Sequence, residues 1–401
     1  MARSDASSSP QGGMVGSRWE PEIKVTQDPV SGATVRQLTN YLGHSSHFYF
    51  TYPCWFEGGR KIIFSSDREN RTNFFSVDLA SGAIVQLTDL DPARGLPNVF
   101  MINKNPAREE AYFLQGRTLM ALNLETQAGL RRPVGGLREV FTIPAGYIGE
   151  GCCATADGLS LVIGMYQDLS DRFPVDMDNG YVGFREYWEA RPHSIIYQLD
   201  LDTGALKTVY EEDYWLGHFN PSPVLPEVMT FCHEGPWDRV DNRIWGLNLN
   251  TGQAWKIRPT QPGEAVGHEY WMPDGVHIGY HGKVQGGPVY GSIAYDNRDQ
   301  VEAPFAFNSW HNHSFHLDLI VGDGAADNPY LLLWRYRNGK FEGPKTLVWH
   351  RGSFHTQRVH VHPCFSSDGK QIVFTADPQG YGQVFVVDVP EFDTLPNHKP
   401  A

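Results

Sequence analysis

A strand–turn–strand phrase recurs along the chain at a spacing of roughly 40 residues, and this repeat constrains the fold more than any other feature. Each clear copy has an apolar strand, a turn that ends in glycine, and a second strand; such copies span residues 56–88, 112–134, 194–210 and 243–259. Weaker copies lie at 272–282, 331–349 and 366–389. Short strands at this regular spacing are typical of four-stranded blades of a β-propeller.

The repeats predict seven blades, which begin near residues 48, 98, 148, 218, 267, 311 and 360. The last copy lacks its outer strand, whereas DPVSGATVRQLT at residues 28–39 is an isolated copy of that strand. Pairing the two would close the ring and leave no open sheet edge. We therefore predict an all-β fold, a seven-bladed β-propeller closed by an N-terminal strand that completes the last blade. Two stacked β-domains are the alternative, and one helix is expected within residues 180–193, as an insertion in the third blade.

The composition suits one large domain in a reducing compartment. With 41% hydrophobic residues, the 401-residue chain can bury a core, and its net charge of −13 argues against nucleic acid or an anionic membrane as a partner. Its five cysteines show no CxxC spacing, which argues against a disulfide framework and a cysteine zinc site. No signal peptide or long apolar run is visible, so we expect a cytoplasmic protein. The predicted organisation is a flexible tail over residues 1–18, one propeller domain over 19–393 and a C-terminal tail over 394–401.

Histidines point to a metal site. Seven of the 16 histidines lie between residues 311 and 362, and one segment reads Gln357-x-x-His360-x-His362. On a strand, residues i and i+2 face the same side, so His360 and His362 could present two imidazoles to one point. Another blade must supply a third nitrogen, for which His311 is placed at an equivalent blade entrance. This donor set suits several first-row metals and does not choose among them.

Two further segments carry polar residues in otherwise apolar strands: FCHEGPWDRVDNRIW at 231–245 and GHEYWMPDG at 267–275. A purely structural interpretation has Arg243 capping a turn, and His233 and His268 satisfying hydrogen bonds within blades. The sequence contains no GxSxG, Walker A or HExxH motif, which argues against the corresponding hydrolases and nucleotide-binding proteins.

The ordered series WLGH, FCHEGPWDRVDNRIW, GHEYWMPDG, VGDG and QRVHVHP resembles the oligogalacturonate lyases, over residues 28 to 390. The resemblance implies a cytoplasmic, seven-bladed propeller enzyme that cleaves short oligogalacturonides by metal-dependent β-elimination. It also implies a divalent metal, commonly manganese, held by His311, Gln357, His360 and His362. The run around His311, WHNHSFHLDL, departs from the family's pattern, which leaves His313 as the alternative ligand.

The resemblance further implies that His268 is the general base and that Arg243 binds the substrate carboxylate. The chemistry agrees, because removing the C5 proton of a uronate builds charge beside its carboxylate, and nearby cations stabilise that charge. His218 and His233 are candidates for substrate contact. The alternatives are a lyase acting on a different uronate-containing oligosaccharide, a non-catalytic binding propeller, and a hydrolase that uses Glu234 and Glu269.

Overall fold

A computed structural model describes residues 14–124, 136–177, 180–306 and 309–399 of the chain. Within these residues, seven antiparallel sheets follow one another along the sequence and form the blades of a propeller. The N-terminal strands are β1 (Arg18–Trp19), β2 (Lys24–Gln27) and β3 (Thr34–Gln37). The predicted all-β, seven-bladed propeller is confirmed.

Blades one to three take up the first half of the chain. Blade one contains β4 (Ser45–Ser46), β5 (Trp55–Phe56), β6 (Lys61–Ser66), β7 (Asn73–Asp78) and β8 (Ile84–Gln86). Blade two contains β9 (Asn103–Lys104), β10 (Glu110–Gln115), β11 (Thr118–Asn123) and β12 (Leu137–Thr142). Blade three contains β13 (Tyr147–Ala154), β14 (Ser160–Gln167), β15 (His193–Asp200) and β16 (Leu206–Asp213).

Blades four to seven follow in the same way. Blade four contains β17 (Leu216–Pro221), β18 (Val228–His233), β19 (Ile244–Asn248) and β20 (Ala254–Lys256). Blade five contains β21 (Ala265–Trp271), β22 (His277–Val284), β23 (Gly287–Ala294) and β24 (Val301–Pro304). Blade six contains β25 (Asn312–His316), β26 (Leu319–Gly322), β27 (Tyr330–Arg337) and β28 (Lys340–Trp349). Blade seven contains β29 (Cys364–Phe365), β30 (Gln371–Ala376) and β31 (Gln383–Asp388).

The N-terminal strand β3 closes the ring, as the sequence predicts. It pairs antiparallel with β31, with Val35 opposite Val387 and Gln37 opposite Phe385. The preceding strand β2 adds a further edge to the same sheet. Because the first and last parts of the chain share one sheet, the ring has no unpaired seam between its ends.

The repeated glycine turn explains why the blades are visible in the sequence. In blade one, the carboxylate Oδ1 of Asp78 accepts hydrogen bonds from the backbone N–H groups of Ala80 and Ser81, at 3.1 and 2.9 Å. The chain then reverses at Gly82, whose φ of 75° lies in the left-handed region that glycine tolerates best. The same turn recurs at Asp28, Asp200 and Asn248.

The predicted helix is present as α1 (Phe184–Ala190), inserted between β14 and β15 of blade three. It packs through Tyr187 against Leu169 and Trp215, and these three buried residues form a small apolar cluster of their own. The insertion is thereby anchored beside the propeller. No helix within the described residues is long and apolar enough to cross a membrane.

The chain ends pack against the blades where they are described. Arg18 and Trp19 pair with β8 of blade one, whereas residues 1–13 of the predicted N-terminal tail lie outside the described residues. In the predicted C-terminal tail, Asn397 bridges to Lys345 of blade six. All five cysteines are buried and free of disulfides.

Candidate active site

A cavity of about 960 Å³ brings most of the sequence-predicted site residues together. Its lining includes His218, Arg243, His268, His311, Gln357 and His362. These residues come from blades four and five and from the segments that precede the inner strands of blades six and seven. The fold therefore gathers residues that are far apart in the sequence into one site.

Bulges in the inner strands aim several of these side chains at the cavity. The pairing of β17 with β18 shifts register between Gly217 and Asn220, and that of β21 with β22 shifts between Gly267 and Tyr270. His218 and His268 are the first residues of these two bulges, and both have left-handed backbones, with φ of 53° and 47°. A bulge interrupts strand alternation and redirects a side chain, and bulges are common beside active sites.

His311, His360 and His362 form a compact cluster. One ligand nitrogen of each lies within 4.8 Å of those of the other two. Within the described residues, the Nδ1 atom of His360 and the Nε2 atom of His362 are buried and lack hydrogen-bond partners. Burial lowers the pKa of His360 to about 4 and that of His362 well below 6.5, so both rings carry lone pairs near neutral pH. Buried, unpartnered imidazole nitrogens that face one another fit a divalent cation.

Asp323 holds the His311 ring in place. Its Oδ2 atom lies 2.7 Å from Nδ1 of His311, and its Oδ1 atom accepts the backbone N–H of His311 at 2.8 Å. Because the carboxylate accepts a hydrogen bond from the N–H at Nδ1, the lone pair of His311 is on Nε2. A carboxylate behind a histidine is the usual support of a metal ligand. His313 is not in the cluster; it is half-buried and stacks on Tyr270 at 5.1 Å between ring centroids.

The Gln357–His362 segment has a different local structure from the strand that the sequence analysis expects. Gln357 begins a 3₁₀ helix that ends at Val359, and His360 and His362 lie in the loop before β29. The spacing still brings both imidazoles together because His360 is extended and His362 has a φ of 45°. The side-chain amide of Gln357 donates to the Tyr181 hydroxyl at 2.7 Å, which leaves its carbonyl oxygen as the atom suited to a cation.

His268 lies beside this cluster with its ring oriented by the backbone. Its Nδ1 atom is 2.6 Å from the carbonyl oxygen of Trp310, and its ring stacks on that of His311 at 4.8 Å. A carbonyl oxygen can only accept, so Nδ1 carries the proton and Nε2 carries the lone pair. Burial, followed by the charges of His311 and His281, holds the pKa of His268 well below 6.5. The neutral ring is therefore available as a proton acceptor near pH 7.

Arg243 is held rigidly by acidic side chains. Its side chain is 2% exposed, and its Nη1 atom donates to Oε1 of Glu234 at 2.6 Å. The Glu269 carboxylate lies 3.8 Å from Nε, and the Trp237 ring lies under the guanidinium at 5.7 Å. The guanidinium thus presents a fixed positive charge at the cavity wall.

The acidic residues Glu234 and Glu269 are not arranged as a hydrolytic pair. Burial would raise the pKa of Glu234, but the Arg243 guanidinium lowers it to about 2, so this carboxyl stays ionised. Glu269 is fully buried and does not line the cavity. Neither residue is therefore placed to donate a proton across the cavity.

The two histidines considered for substrate contact differ in position. His218 lines the cavity, with Nδ1 3.4 Å from Glu269 and Nε2 3.4 Å from the Nη2 atom of Arg243. His233 does not line it: its ring is sandwiched between Tyr214 and Trp245, at 3.9 and 4.6 Å, and Nδ1 lies 2.6 Å from Asp241. His233 lies two residues after Phe231 in β18, so the two side chains face the same side of a strand whose residues are all buried. The His233 side chain therefore packs within the blade.

A sequence model of the oligogalacturonate lyase family matches residues 16–393. The chain belongs to the oligogalacturonate lyase family. It is 26% identical over 389 residues to the oligogalacturonate lyase of Dickeya dadantii, covering 91% of this chain and 95% of that protein. It is also 26% identical over 392 residues to the oligogalacturonide lyase of Pectobacterium atrosepticum, with the same coverage.

Solved structures of this family agree with the propeller. An oligogalacturonate lyase in complex with manganese superposes with a TM-score of 0.83 at 27% identity, covering 94% of this chain and 98% of that one. An oligogalacturonate lyase from Vibrio parahaemolyticus superposes with the same TM-score at 24% identity, covering 94% and 99% of the two chains, and supports the fold.

Two residues of the site, Asp323 and Glu150, are not among those that the sequence predicts. Asp323 lies in the VGDG motif, and Glu150 lines the same cavity from blade three. A glycine directly precedes each of them, as one precedes His218 and His268. A polar residue directly after a glycine is therefore the signal that the sequence offers.

Proposed function

We propose that the protein is a metal-dependent lyase that cleaves short oligogalacturonides, such as digalacturonate, by β-elimination. The observation that carries this proposal is the position of His268: an imidazole with an available Nε2 lone pair stacks on His311 of the histidine cluster, in the cavity that Arg243 also lines. Proton abstraction next to a carboxylate needs a base and positive charge in one place.

The proposed cofactor is a divalent cation, most simply Mn²⁺, since a related lyase is solved with manganese. Its ligands would be His311, His360, His362 and the amide oxygen of Gln357. The unpartnered buried nitrogens of His360 and His362 support this assignment. When bound, the cation supplies positive charge that stabilises the anion formed next to the uronate carboxylate. Neutral ligands leave that charge undiminished.

The protein's own residues would perform the proton abstraction. The carboxylate of the sugar to be cleaved would lie against Arg243, which Glu234 keeps oriented. Nε2 of His268 would then take the C5 proton, and the electron pair of the C5–H bond would form the C4–C5 double bond as the C4–O bond breaks. The substrate preference for short chains is supported by the net charge of −13, which repels a long polyanion.

We also propose a cytoplasmic location and one catalytic domain over residues 19–393. Five buried cysteines without a disulfide support a reducing compartment. The close packing of successive blades from blade one to blade seven supports a single domain.

Mass spectrometry of trigalacturonate products tests the proposal. We expect product masses that sum to the substrate mass without added water, activity abolished by a chelator, and recovery on adding Mn²⁺. Products that had gained water would indicate hydrolysis and would contradict the role of His268. Turnover of another uronate oligosaccharide in place of trigalacturonate would retain the chemistry and contradict the substrate.

A further inference from the structure

Three successive blades carry a titratable side chain at the same structural position. In blade three, the pairing of β13 with β14 shifts register between Gly149 and Gly151, which places Glu150 in a bulge. His218 and His268 occupy the corresponding bulges of blades four and five, each directly after a glycine. Glu150 is thus the blade-three counterpart of the proposed base, and it lines the same cavity.

Glu150 lies near two other carboxylates, those of Glu234 and Glu269, and only one cationic side chain, Arg243, is close enough to balance their charge. Its Oε1 atom accepts the backbone N–H of His218 at 3.2 Å, and its Oε2 atom has no hydrogen-bond partner within the described residues. A Cβ atom at Gly217 would lie 2.8 Å from Glu150 and 3.2 Å from Glu234, so the two carboxyl groups converge over this glycine. Arg243 is already engaged by Glu234.

The surroundings of Glu150 favour a neutral carboxylic acid. The charged groups that face it are Glu234, Glu269 and Arg243, and the first two outnumber the third. Burial, and then repulsion by Glu234, raises the pKa of Glu150 to about 8. The nearby groups Tyr52, Tyr166, Cys152 and Cys232 have pKa values raised by burial and remain neutral.

We propose that Glu150 is the catalytic acid that protonates the leaving C4 oxygen, an inference that rests on the proposed function. His268 takes the C5 proton, the C5–H electron pair forms the C4–C5 double bond, and the C4–O pair leaves with the oxygen. That oxygen takes the carboxyl proton of Glu150. The protein ends with His268 protonated and Glu150 ionised, and exchange with solvent restores both.

The position of Glu150 in the ring fits the stereochemistry of this step. In a galacturonide, the C5 hydrogen and the C4 oxygen project from opposite faces of the sugar ring, so the acid and the base must approach from opposite sides. Glu150 belongs to blade three and His268 to blade five, where its ring stacks on that of His311. His218 of blade four neighbours both, with its N–H 3.2 Å from Glu150 and its ring 6.3 Å from that of His268. A sugar bound between them would meet the base on one side and the acid on the other.

Two other polar groups that line the cavity near Glu150 are less suited to the role. Burial lowers the pKa of His218, and the guanidinium of Arg243 lies 3.4 Å from its Nε2 atom, so its ring is neutral and has no proton to spare. Glu234 is ionised by Arg243. Tyr49 also lines the cavity and carries a hydroxyl group, so Tyr49→Phe is included in the test.

The test compares two leaving groups. A sugar alkoxide is a strong base and must be protonated to leave. Fluoride is a much weaker base, so its departure depends far less on a proton donor. We expect Glu150→Gln to lower kcat/KM on trigalacturonate by roughly 10²–10⁴-fold, and on a methyl galacturonide with fluorine at C4 by less than about tenfold. The alkaline limb of the wild-type pH profile should disappear in the variant. Glu234→Gln is the matched control, and it should impair both substrates because both need Arg243.

Mn²⁺ binding measured by calorimetry reports whether the variants keep the fold of the site. An equal loss on both substrates, or no loss on trigalacturonate, would overturn the assignment of Glu150. A leaving-group-selective loss in Tyr49→Phe but not in Glu150→Gln would overturn it in favour of Tyr49. Wild-type protein that eliminates neither substrate would instead overturn the proposed function, and this inference with it.

Discussion

The carbonyl oxygen of Trp310 lies 2.6 Å from Nδ1 of His268 and fixes which nitrogen of that ring bears the proton. The residue after this carbonyl is His311, a member of the histidine cluster. The backbone that carries one proposed metal ligand therefore also orients the proposed base. A cation bound to the cluster and the Nε2 lone pair of His268 would have a fixed relative position.

Replacing His268 by alanine should remove the base and leave the metal site. We expect kcat/KM on digalacturonate to fall by roughly 10²–10⁴-fold, because a positioned general base contributes about that much. Mn²⁺ affinity by calorimetry should stay close to that of the wild type. His316→Ala is the control, because His316 is exposed and lies outside the histidine cluster, and this variant should retain full activity. A fully active His268→Ala protein would exclude this residue as the base.

Asp323→Asn should weaken metal binding without removing a ligand. The carboxylate accepts one hydrogen bond from the His311 ring and one from its backbone N–H, and loss of such a supporting group typically costs 10–100-fold in metal affinity. Calorimetric titration with Mn²⁺ measures the change. His313→Gln is the control, because His313 lies outside the cluster, and it should bind Mn²⁺ as the wild type does. Weakened binding in His313→Gln with normal binding in His311→Gln would reverse the assignment.

The repeats explain why so much of the fold could be predicted. The Asx-x-x-Ser/Thr-Gly turn is a local structure, in which a side chain such as that of Asp78 caps its own turn, so the sequence alone identifies it. The closing strand β3 could be recognised because it follows the same turn, which begins at Asp28. The metal cluster could be proposed because the spacing of His360 and His362 works in a loop as well as on a strand.

The features of the site that the sequence does not predict depend on the register of paired strands and on the packing of side chains between them. Glu150 faces the cavity because of a one-residue shift between β13 and β14, which no periodicity reveals. His233 was a candidate for substrate contact, yet its ring is enclosed by Tyr214 and Trp245 from neighbouring strands. Only the assembled blades determine these directions.

Arg243 and Glu234 should make interdependent contributions to the free energy of unfolding, because they form a buried ion pair. Arg243→Gln would leave the Glu234 carboxylate buried without its partner, which typically costs about 3–5 kcal/mol of unfolding free energy. The double variant Arg243→Gln/Glu234→Gln removes both charges and should recover much of that loss while remaining inactive. Urea unfolding of the single and double variants measures the coupling. If the Arg243→Gln variant and the double variant had the same free energy of unfolding, the unpaired Glu234 carboxylate would not be the source of the lost stability.

Glu150 should make the unfolding free energy depend on pH in the neutral range. Its pKa is about 8 in the folded protein against an ordinary value of 4.5, so the folded state retains a proton that the unfolded state has released. Stability from this group is therefore complete below pH 4.5 and falls as the pH rises toward 8. Glu150→Gln keeps the acceptor for the His218 N–H and has no proton to lose, so it should flatten this part of the profile.

Urea unfolding at about pH 5 and at about pH 8.5 measures this difference between wild type and Glu150→Gln. Glu264→Gln is the matched control, because burial would raise the pKa of Glu264 but the hydrogen bond from Arg258 lowers it, so its contribution is lost only as the pH falls below 4.5, and it does not face Glu150. This control should keep the wild-type slope between the two conditions. The same slope in Glu150→Gln would mean that Glu150 is already ionised near neutral pH, and its carboxyl group could not then serve as a proton donor in the cavity.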